Sequence, residues 1–301
     1  MGEHAVVYGR PALVAAVDLR LTARLCDLPA VAPTRIRLEL PDLGFVAGTS
    51  WTAIREYARQ ARENWQRYAE RPSPERFRVL RGDDPLHVVK AALGEAIEAL
   101  GEEAPAGGHL RVTSNLPVGS GFGSSAATAV GVIAAYFAWR SAPLDLERIE
   151  RLALEVERRQ HGLPSGVDTA AVVHGGLLWA RKTADGLETA AIEPRSSLLS
   201  RLRVYDTGTP PEPTGAVVAA VRRRCDQDPA EHARRLDRME AVTRGLREEL
   251  AREEEDAARV RELIRECEAC LEELGVVPAP VRALVRRIEA EGGAAKISGA
   301  G

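Results

Sequence analysis

Apolar positions along this chain recur with two periods, and the switches between them mark out its elements. From Ala5 to Leu25, AVVYGRPALVAAVDLRLTARL carries apolar and β-branched stretches broken at Gly9-Arg10-Pro11, which predicts strand, turn and strand. RIRLEL at 35–40 predicts a further strand. Between Thr49 and Glu70 the spacing becomes helical, with Trp51, Ile54, Tyr57, Ala58, Ala61 and Trp65 on one side, and Arg71-Pro72-Ser73-Pro74 ends the run. PLHVVKAALGEAIEAL at 85–100 predicts another helix, and HLRVTSNLPVG a strand that runs into a turn. SSAATAVGVIAAYFAWR at 124–140 is apolar on nearly every side, so the helix it predicts is buried. A second helix follows at 143–159, with Asp145 placed to cap it. Then come a loop, HGLPSGVD, a short helix of small residues, and a strand, GGLLWARK.

Beyond residue 197 the character changes. LRVYDTG predicts a strand, and a proline-rich turn at 209–213 follows it. Arg- and Glu-rich helices are predicted at 214–225, 229–250, 255–274 and 279–291, and runs such as Glu253-Glu254-Glu255-Asp256 read as solvated faces or turns. No internal repeat interrupts the chain. These shifts place a domain boundary near 197, with domains at 1–196 and 197–301.

At 301 residues, 45% hydrophobic and 28% charged, the chain has material for about two domains with real cores. A formal charge of -3 gives nucleic acid no reason to bind. No run of roughly 18 apolar residues occurs, and no basic stretch followed by an apolar one opens the chain, so neither a membrane partner nor a signal peptide is expected and the location expected is cytoplasmic. Cys267 and Cys270 form a C-x-x-C without a second pair or histidines at ligand spacing, which reads as two helix residues sharing a face. Lysine occurs only at 90, 182 and 296, which leaves few candidates for a catalytic lysine.

Two constellations carry chemistry. In the first, Pro117-Val118-Gly119-Ser120-Gly121-Phe122-Gly123-Ser124-Ser125-Ala126-Ala127 follows a strand and opens into the buried helix. Glycines let the backbone approach an anion closely, and a helix start offers unpaired N–H groups and the positive end of its dipole, so the stretch suits a phosphate. A tight turn alone explains many such loops. A P-loop would need a Gly-Lys-Ser/Thr, and a dinucleotide fingerprint an acidic residue ending the next strand; neither is present. In the second, Glu157 precedes Asp168 by eleven residues within ERRQHGLPSGVD. Phosphoryl transfer needs Mg²⁺ on the phosphates and a group that orients the attacking hydroxyl, roles that two carboxylates can divide. Each has a plainer alternative: a surface carboxylate for Glu157, a helix cap for Asp168.

Together with the termini, these segments resemble the GHMP kinases (galacto-, homoserine, mevalonate and phosphomevalonate kinases), and within them the mevalonate kinases. Pro117–Ala127 is similar to the family's ATP loop, with Phe122 where leucine is usual. Gly2-Glu3-His4-Ala5-Val6-Val7-Tyr8-Gly9 resembles the mevalonate kinase form of its first motif, and His161–Asp168 the segment that bears its catalytic aspartate. Ala295-Lys296-Ile297-Ser298-Gly299-Ala300-Gly301 resembles the start of the C-terminal glycine motif, and Asp206 to Thr214, more loosely, a loop by the substrate pocket.

The resemblance implies an α+β, two-domain fold: an N-terminal domain like domain 2 of ribosomal protein S5, a ferredoxin-like C-terminal domain, and ATP in the cleft between them. It implies that Pro117, Gly119, Ser120, Gly121, Gly123, Ser124, Ser125 and Ala126 cradle the ATP phosphates, and that Ser124 or Ser125, with Ser125 preferred, joins Glu157 on Mg²⁺. Asp168 would meet the acceptor hydroxyl; Glu3, His4 and Thr214 would line the substrate pocket. The implied reaction is transfer from ATP to the C5 hydroxyl of mevalonate, with a homodimer allowed but not required. A phosphomevalonate or sugar kinase, a mevalonate-type decarboxylase and an inactive nucleotide-binding relative stay open as alternatives. The family motif also implies an apolar strand before Gly2 with a lysine six residues ahead of Glu3, and more glycines after Gly301. With only two residues ahead of Glu3, the chain is expected to be incomplete at both ends, less stable and nearly inactive.

Overall fold

The computed structural model describes residues 1–28, 34–102, 107–117, 119–208 and 214–299. A 3₁₀ turn, Ala5–Tyr8, precedes β1 (Pro11–Ala15), β2 (Leu21–Asp27), β3 (Arg35–Leu40) and β4 (Phe45–Ser50). Helices α1 (Trp51–Glu70), α2 (Pro74–Arg81) and α3 (His87–Leu100) follow, then β5 (Gly108–Ser114), α4 (Ser124–Trp139), α5 (Leu146–His161) and α6 (Val167–His174). Strands β6 (Leu177–Lys182) and β7 (Leu187–Ile192) lead to α7 (Leu198–Arg201), α8 (Thr214–Gln227), α9 (Pro229–Ala251), α10 (Ala257–Glu273) and α11 (Ala279–Ala290). This α+β chain forms two compact units that interleave along the sequence. One comprises 17–116 and 123–173, the other 1–16, 117–122 and 174–301. Residues 174–196 thus group with the helices beyond 197, a different division from domains at 1–196 and 197–301.

In the unit of 17–173, four strands run in the order β2-β5-β3-β4, with β3 and β5 parallel and the other pairs antiparallel. Helix α4 has no polar stripe, and it is packed against β2, α3 and α5. Its Val132, Ile133, Tyr136 and Phe137 join Ile36, Leu38 and Leu110 of the sheet, Leu93 and Ile97 of α3, and Ile149 and Val156 of α5 in one core. Helix starts are closed by side chains where the sequence supplies them: Ser50 accepts from the N–H of Ala53, Ser73 from Arg76, and Asp145 from Arg148.

The other unit holds an antiparallel sheet, β1-β6-β7, and the C-terminal helices; among the described residues, 197–299 contribute helices and no strand. Leu236 and Met239 of α9 meet Leu263, Cys267, Cys270 and Leu271 of α10, so the C-x-x-C lies on a buried helix face as two free thiols. No helix among the described residues is long and apolar enough to cross a membrane.

Two expected strands are absent. Ala5–Tyr8 is a 3₁₀ turn because left-handed residues bracket it, Gly2 (φ 87°) and His4 (φ 56°) before and Gly9 (φ 76°) after. Within it Val6 N–H donates to Gly2 O and Gly9 N–H to Val6 O, both at 3.1 Å, and Ala5 buries against the C-terminal helices instead of a sheet. LRVYDTG at 202–208 is not a strand either: it has no ladder partner among the described residues, and Leu202, Val204 and Tyr205 are exposed. The proline-rich turn at 209–213 lies outside the described residues. Strands β4 and β7 and helix α2 were not anticipated; β4 and β7 are edge strands with few buried side chains, and α2 is only eight residues long.

One polar cluster runs from a buried pair between α3 and α5 out to the exposed side of α1. The buried Arg159 lies 3.1 Å from Glu95 Oε1, which also accepts from Arg62 at 2.7 Å, and Arg62 reaches on to Glu98 at 2.9 Å. Burial pushes the Arg159 guanidinium below its ordinary pKa and the Glu95 charge opposes that shift. Removing one partner of such a group strands the other charge. Glu95→Ala should therefore cost about 3–5 kcal/mol in denaturant unfolding, while Glu95→Leu with Arg159→Met should restore most of it. A loss in Glu95→Ala no larger than that of a surface pair, about 1 kcal/mol or less, would show that Arg159 does not depend on Glu95.

Candidate active site

The unit of 17–173 brings Gly123, Ser125, Glu157 and Asp168 together. Gly123 precedes α4 with a left-handed backbone (φ 68°) and no side-chain cap closes the helix, so the first-turn N–H groups of Ser124, Ser125 and Ala126 have no acceptor within it. Ser124 and Ser125 are half-buried and Ala126 is buried. Gly123 also alternates with Gly119 and Gly121, both at φ 78°, in the preceding loop; every second residue adopts a conformation that side chains resist. A Cβ at Gly123 would sit 3.7 Å from the Cβ of Asp168. Asp168 thus lies against the opening of α4, in the first turn of α6 rather than capping it.

Glu157 is one turn from the end of α5 and faces inward. Its side chain is 3% exposed, and Oε1 has no protein partner. Burial raises its pKa to about 8, with the Asp168 charge adding to the rise and the Ser125 hydroxyl opposing it. Ser125 Oγ stands 3.1 Å from His161 Nε2, and that nitrogen is 3.6 Å from Glu157 Oε2. Burial, with Arg81 and His87 nearby, lowers the His161 pKa to about 4, so the contact with Glu157 is not an ion pair near neutral pH. Surrounding protein also raises the Asp168 carboxyl, but that side chain is exposed and water access limits the shift.

The loop between Glu157 and Asp168 is fastened from α1. Trp65 Nε1–H donates to Gly162 O at 2.9 Å, and Tyr68 packs so closely on Gly162 (φ 80°) that a Cβ there would lie 2.5 Å from its ring. Neither Trp65, expected only as part of an apolar helix face, nor His161 was singled out for the site. For His161 a signal exists in spacing, four residues after Glu157 on the same helix face; Trp65, whose partner is distant in sequence, carries none.

The remaining expected residues belong to the other unit. Pro117, Gly119, Ser120 and Gly121 form the first half of the loop, where the backbones of Ser298 and Gly299 approach Gly121 to within 3.9 Å of an added Cβ at either glycine. Glu3 Oε1 is bound by Lys296, whose ammonium also donates to Ile297 O at 2.5 Å and Ser298 Oγ at 3.2 Å. Lys296 and the Met1 amine hold the Glu3 pKa down at about 2 against a burial effect that would raise it. Glu3 Oε2 is buried without a protein partner, and His4 beside it is buried. Lys296 as the partner of Glu3 was not foreseen. The side chain of Thr214, Val118 in the loop, and Ala300 and Gly301 lie outside the described residues.

Residues 87–176 match the model of the GHMP kinases N terminal domain. The chain is 30% identical to the mevalonate kinase of Thermococcus gammatolerans over 309 residues, an alignment covering 100% of this chain and 83% of that protein. It is 29% identical to the mevalonate kinase of Candida albicans over 250 residues, covering 74% of this chain and 57% of that protein. The crystal structure of the Methanococcus jannaschii mevalonate kinase superposes with a TM-score of 0.75 at 21% identity, over 100% of this chain and 84% of that one. The chain belongs to the GHMP kinases and, among them, to the mevalonate kinase family.

The Gly162 corner can be tested directly. Gly162→Ala meets both a left-handed backbone, which costs about 1–3 kcal/mol, and the Tyr68 ring. It should lower the thermal midpoint, and adding Tyr68→Leu should recover only the steric part. An unchanged midpoint in Gly162→Ala would mean that the corner is not held as described.

Proposed function

We propose that this chain transfers the γ-phosphoryl group of ATP to the C5 hydroxyl of mevalonate, giving 5-phosphomevalonate for isoprenoid precursor synthesis. ATP is the phosphoryl donor of its family; mevalonate is the acceptor named for the relatives it matches over most of their length. The observation that carries the reading is the position of Asp168, its carboxylate beside the uncapped start of α4, with Ser125 and Glu157 inside the same unit.

Each group has a task that follows from its surroundings. The N–H groups that open α4, with the Gly119–Gly123 backbone, cradle the phosphates, since they point outward from a positive helix end. Asp168, open to solvent, accepts the hydrogen of the acceptor hydroxyl and aims its oxygen. Glu3, His4 and Thr214 are proposed for the mevalonate side; Lys296 then fixes the orientation of Glu3. The donor set also fits Mg²⁺, a hard cation that takes one or two carboxylates plus substrate phosphates. Ser125 Oγ and the unpartnered, buried Glu157 Oε1 would be its protein ligands, Ser125 being the serine whose hydroxyl faces this carboxylate. When bound, the cation neutralises phosphate charge and favours the ionised form of Glu157. Most of the rate enhancement then comes from positioning and charge stabilisation. The same reading puts the enzyme in the cytoplasm and allows a homodimer.

The acceptor is tested by kcat/KM with ATP and mevalonate, galactose, homoserine or phosphomevalonate. Mevalonate should exceed the others by a wide margin; a higher value for any of them would retire this acceptor and leave the kinase class. Within the site, Asp168→Asn should lose about 10²- to 10⁴-fold in kcat while still binding ATP, and Glu157→Gln should weaken Mg²⁺ dependence and nucleotide affinity together. Turnover of Asp168→Asn at the original rate would remove Asp168 from its role.

A further inference from the structure

His161 ends α5, and its Nε2 is shared between two groups: Ser125 Oγ at 3.1 Å and Glu157 Oε2 at 3.6 Å. Both neighbours are already assigned to the cation; the imidazole is not. A serine hydroxyl that gives a lone pair to a divalent ion becomes a stronger donor through its remaining hydrogen, and that hydrogen then needs an acceptor. Two acceptors are in reach. If Glu157 takes the hydrogen, a carboxylate oxygen is diverted from the cation. If His161 Nε2 takes it, both Glu157 oxygens stay available, including Oε1, which no protein group uses.

We propose that His161 is a positioning residue for the cation site: its Nε2 accepts the Ser125 hydroxyl hydrogen, turns the oxygen's lone pairs outward and leaves Glu157 free as the second oxygen ligand. This rests on the reading of Ser125 and Glu157 as Mg²⁺ ligands. The ring then carries its own hydrogen on Nδ1, an assignment made from its partners. The opposite tautomer would spend a Ser125 lone pair on Nε2–H and send the hydroxyl hydrogen to Glu157.

The quantity to measure is the factor by which saturating Mg²⁺ tightens binding of adenylyl imidodiphosphate, relative to binding in EDTA. His161→Phe keeps the bulk and removes the acceptor. Its factor should fall about 10- to 100-fold, the range for losing an outer partner of a metal ligand, with affinity in EDTA and the thermal midpoint unchanged. His161→Gln puts an amide oxygen near the place of Nε2 and should recover most of the factor. His161→Asn matches the nearer ring nitrogen instead; it should not recover the factor, and it stands in for phenylalanine if that variant does not fold. Three results overturn the proposal while the cation reading survives, as judged by loss of the factor in Glu157→Gln: an undiminished factor in His161→Phe, an equal loss of affinity in EDTA, or no recovery in His161→Gln. If Glu157→Gln and Ser125→Ala both keep the original factor, the cation reading itself fails and takes this role with it.

Discussion

Helix α4 has nowhere to go but inside. Its apolar residues face β2, α3 and α5, so sliding or rotating it would expose some of them whichever way it moved. That burial fixes where its first turn begins, and therefore where the N–H groups after Gly123 stand. The rest of the site in this unit is built outward from that point. Asp168 rests on Gly123, Ser125 faces α5, and Trp65 fastens the intervening loop at Gly162.

Buried charge is handled in two ways. Arg159 lies against Glu95, which it shares with Arg62, although its Nε and Nη1 make no hydrogen bond, and Lys296 finds three acceptors, so these cations each face a carboxylate. Glu157 differs in having no arginine or lysine paired with it among the described residues: Oε1 has no protein partner, Oε2 faces His161, and burial favours the neutral form. Such an arrangement is costly for structure alone. The proposed cation would supply the missing charge.

The helices from 124 to 174 and beyond 214 were legible because their residues are apolar throughout, as in α4, or spaced as in a helix, and Asp145 marks the start of α5. The glycine loop stood out as alternating glycines before a helix, but a tight turn explains many such loops, and its reading as a phosphate cradle came with the family resemblance. The 3₁₀ turn at Ala5–Tyr8 was not: its apolar side chains suit a strand, and only the left-handed backbone on either side decides otherwise. Strands β4 and β7 escaped because edge strands with half-exposed side chains lack the alternation that marks a core strand. In the site, Glu157 and Asp168 stood out as carboxylates; the spacing of His161 from Glu157 points to it only once Glu157 is assigned, and Trp65 acts through a hydrogen bond to a loop distant in sequence. The pairing of Glu3 with Lys296 joins positions 293 residues apart and needed the structure.

The interleaving of the two units has a consequence for how the protein is made. Residues 17–173 have every strand of their sheet once the chain is synthesised to Ser114, and their last helix soon afterwards. By contrast β1 leaves the ribosome before any of those strands, yet its ladder partner, β6, begins only at Leu177. Its apolar residues must wait through the synthesis of the other unit, exposed or shielded by a chaperone, before Leu13 can face Trp179. Contacts this distant in sequence are slow to form, so the sheet that carries the N-terminal segment should be the last part of the molecule to become native.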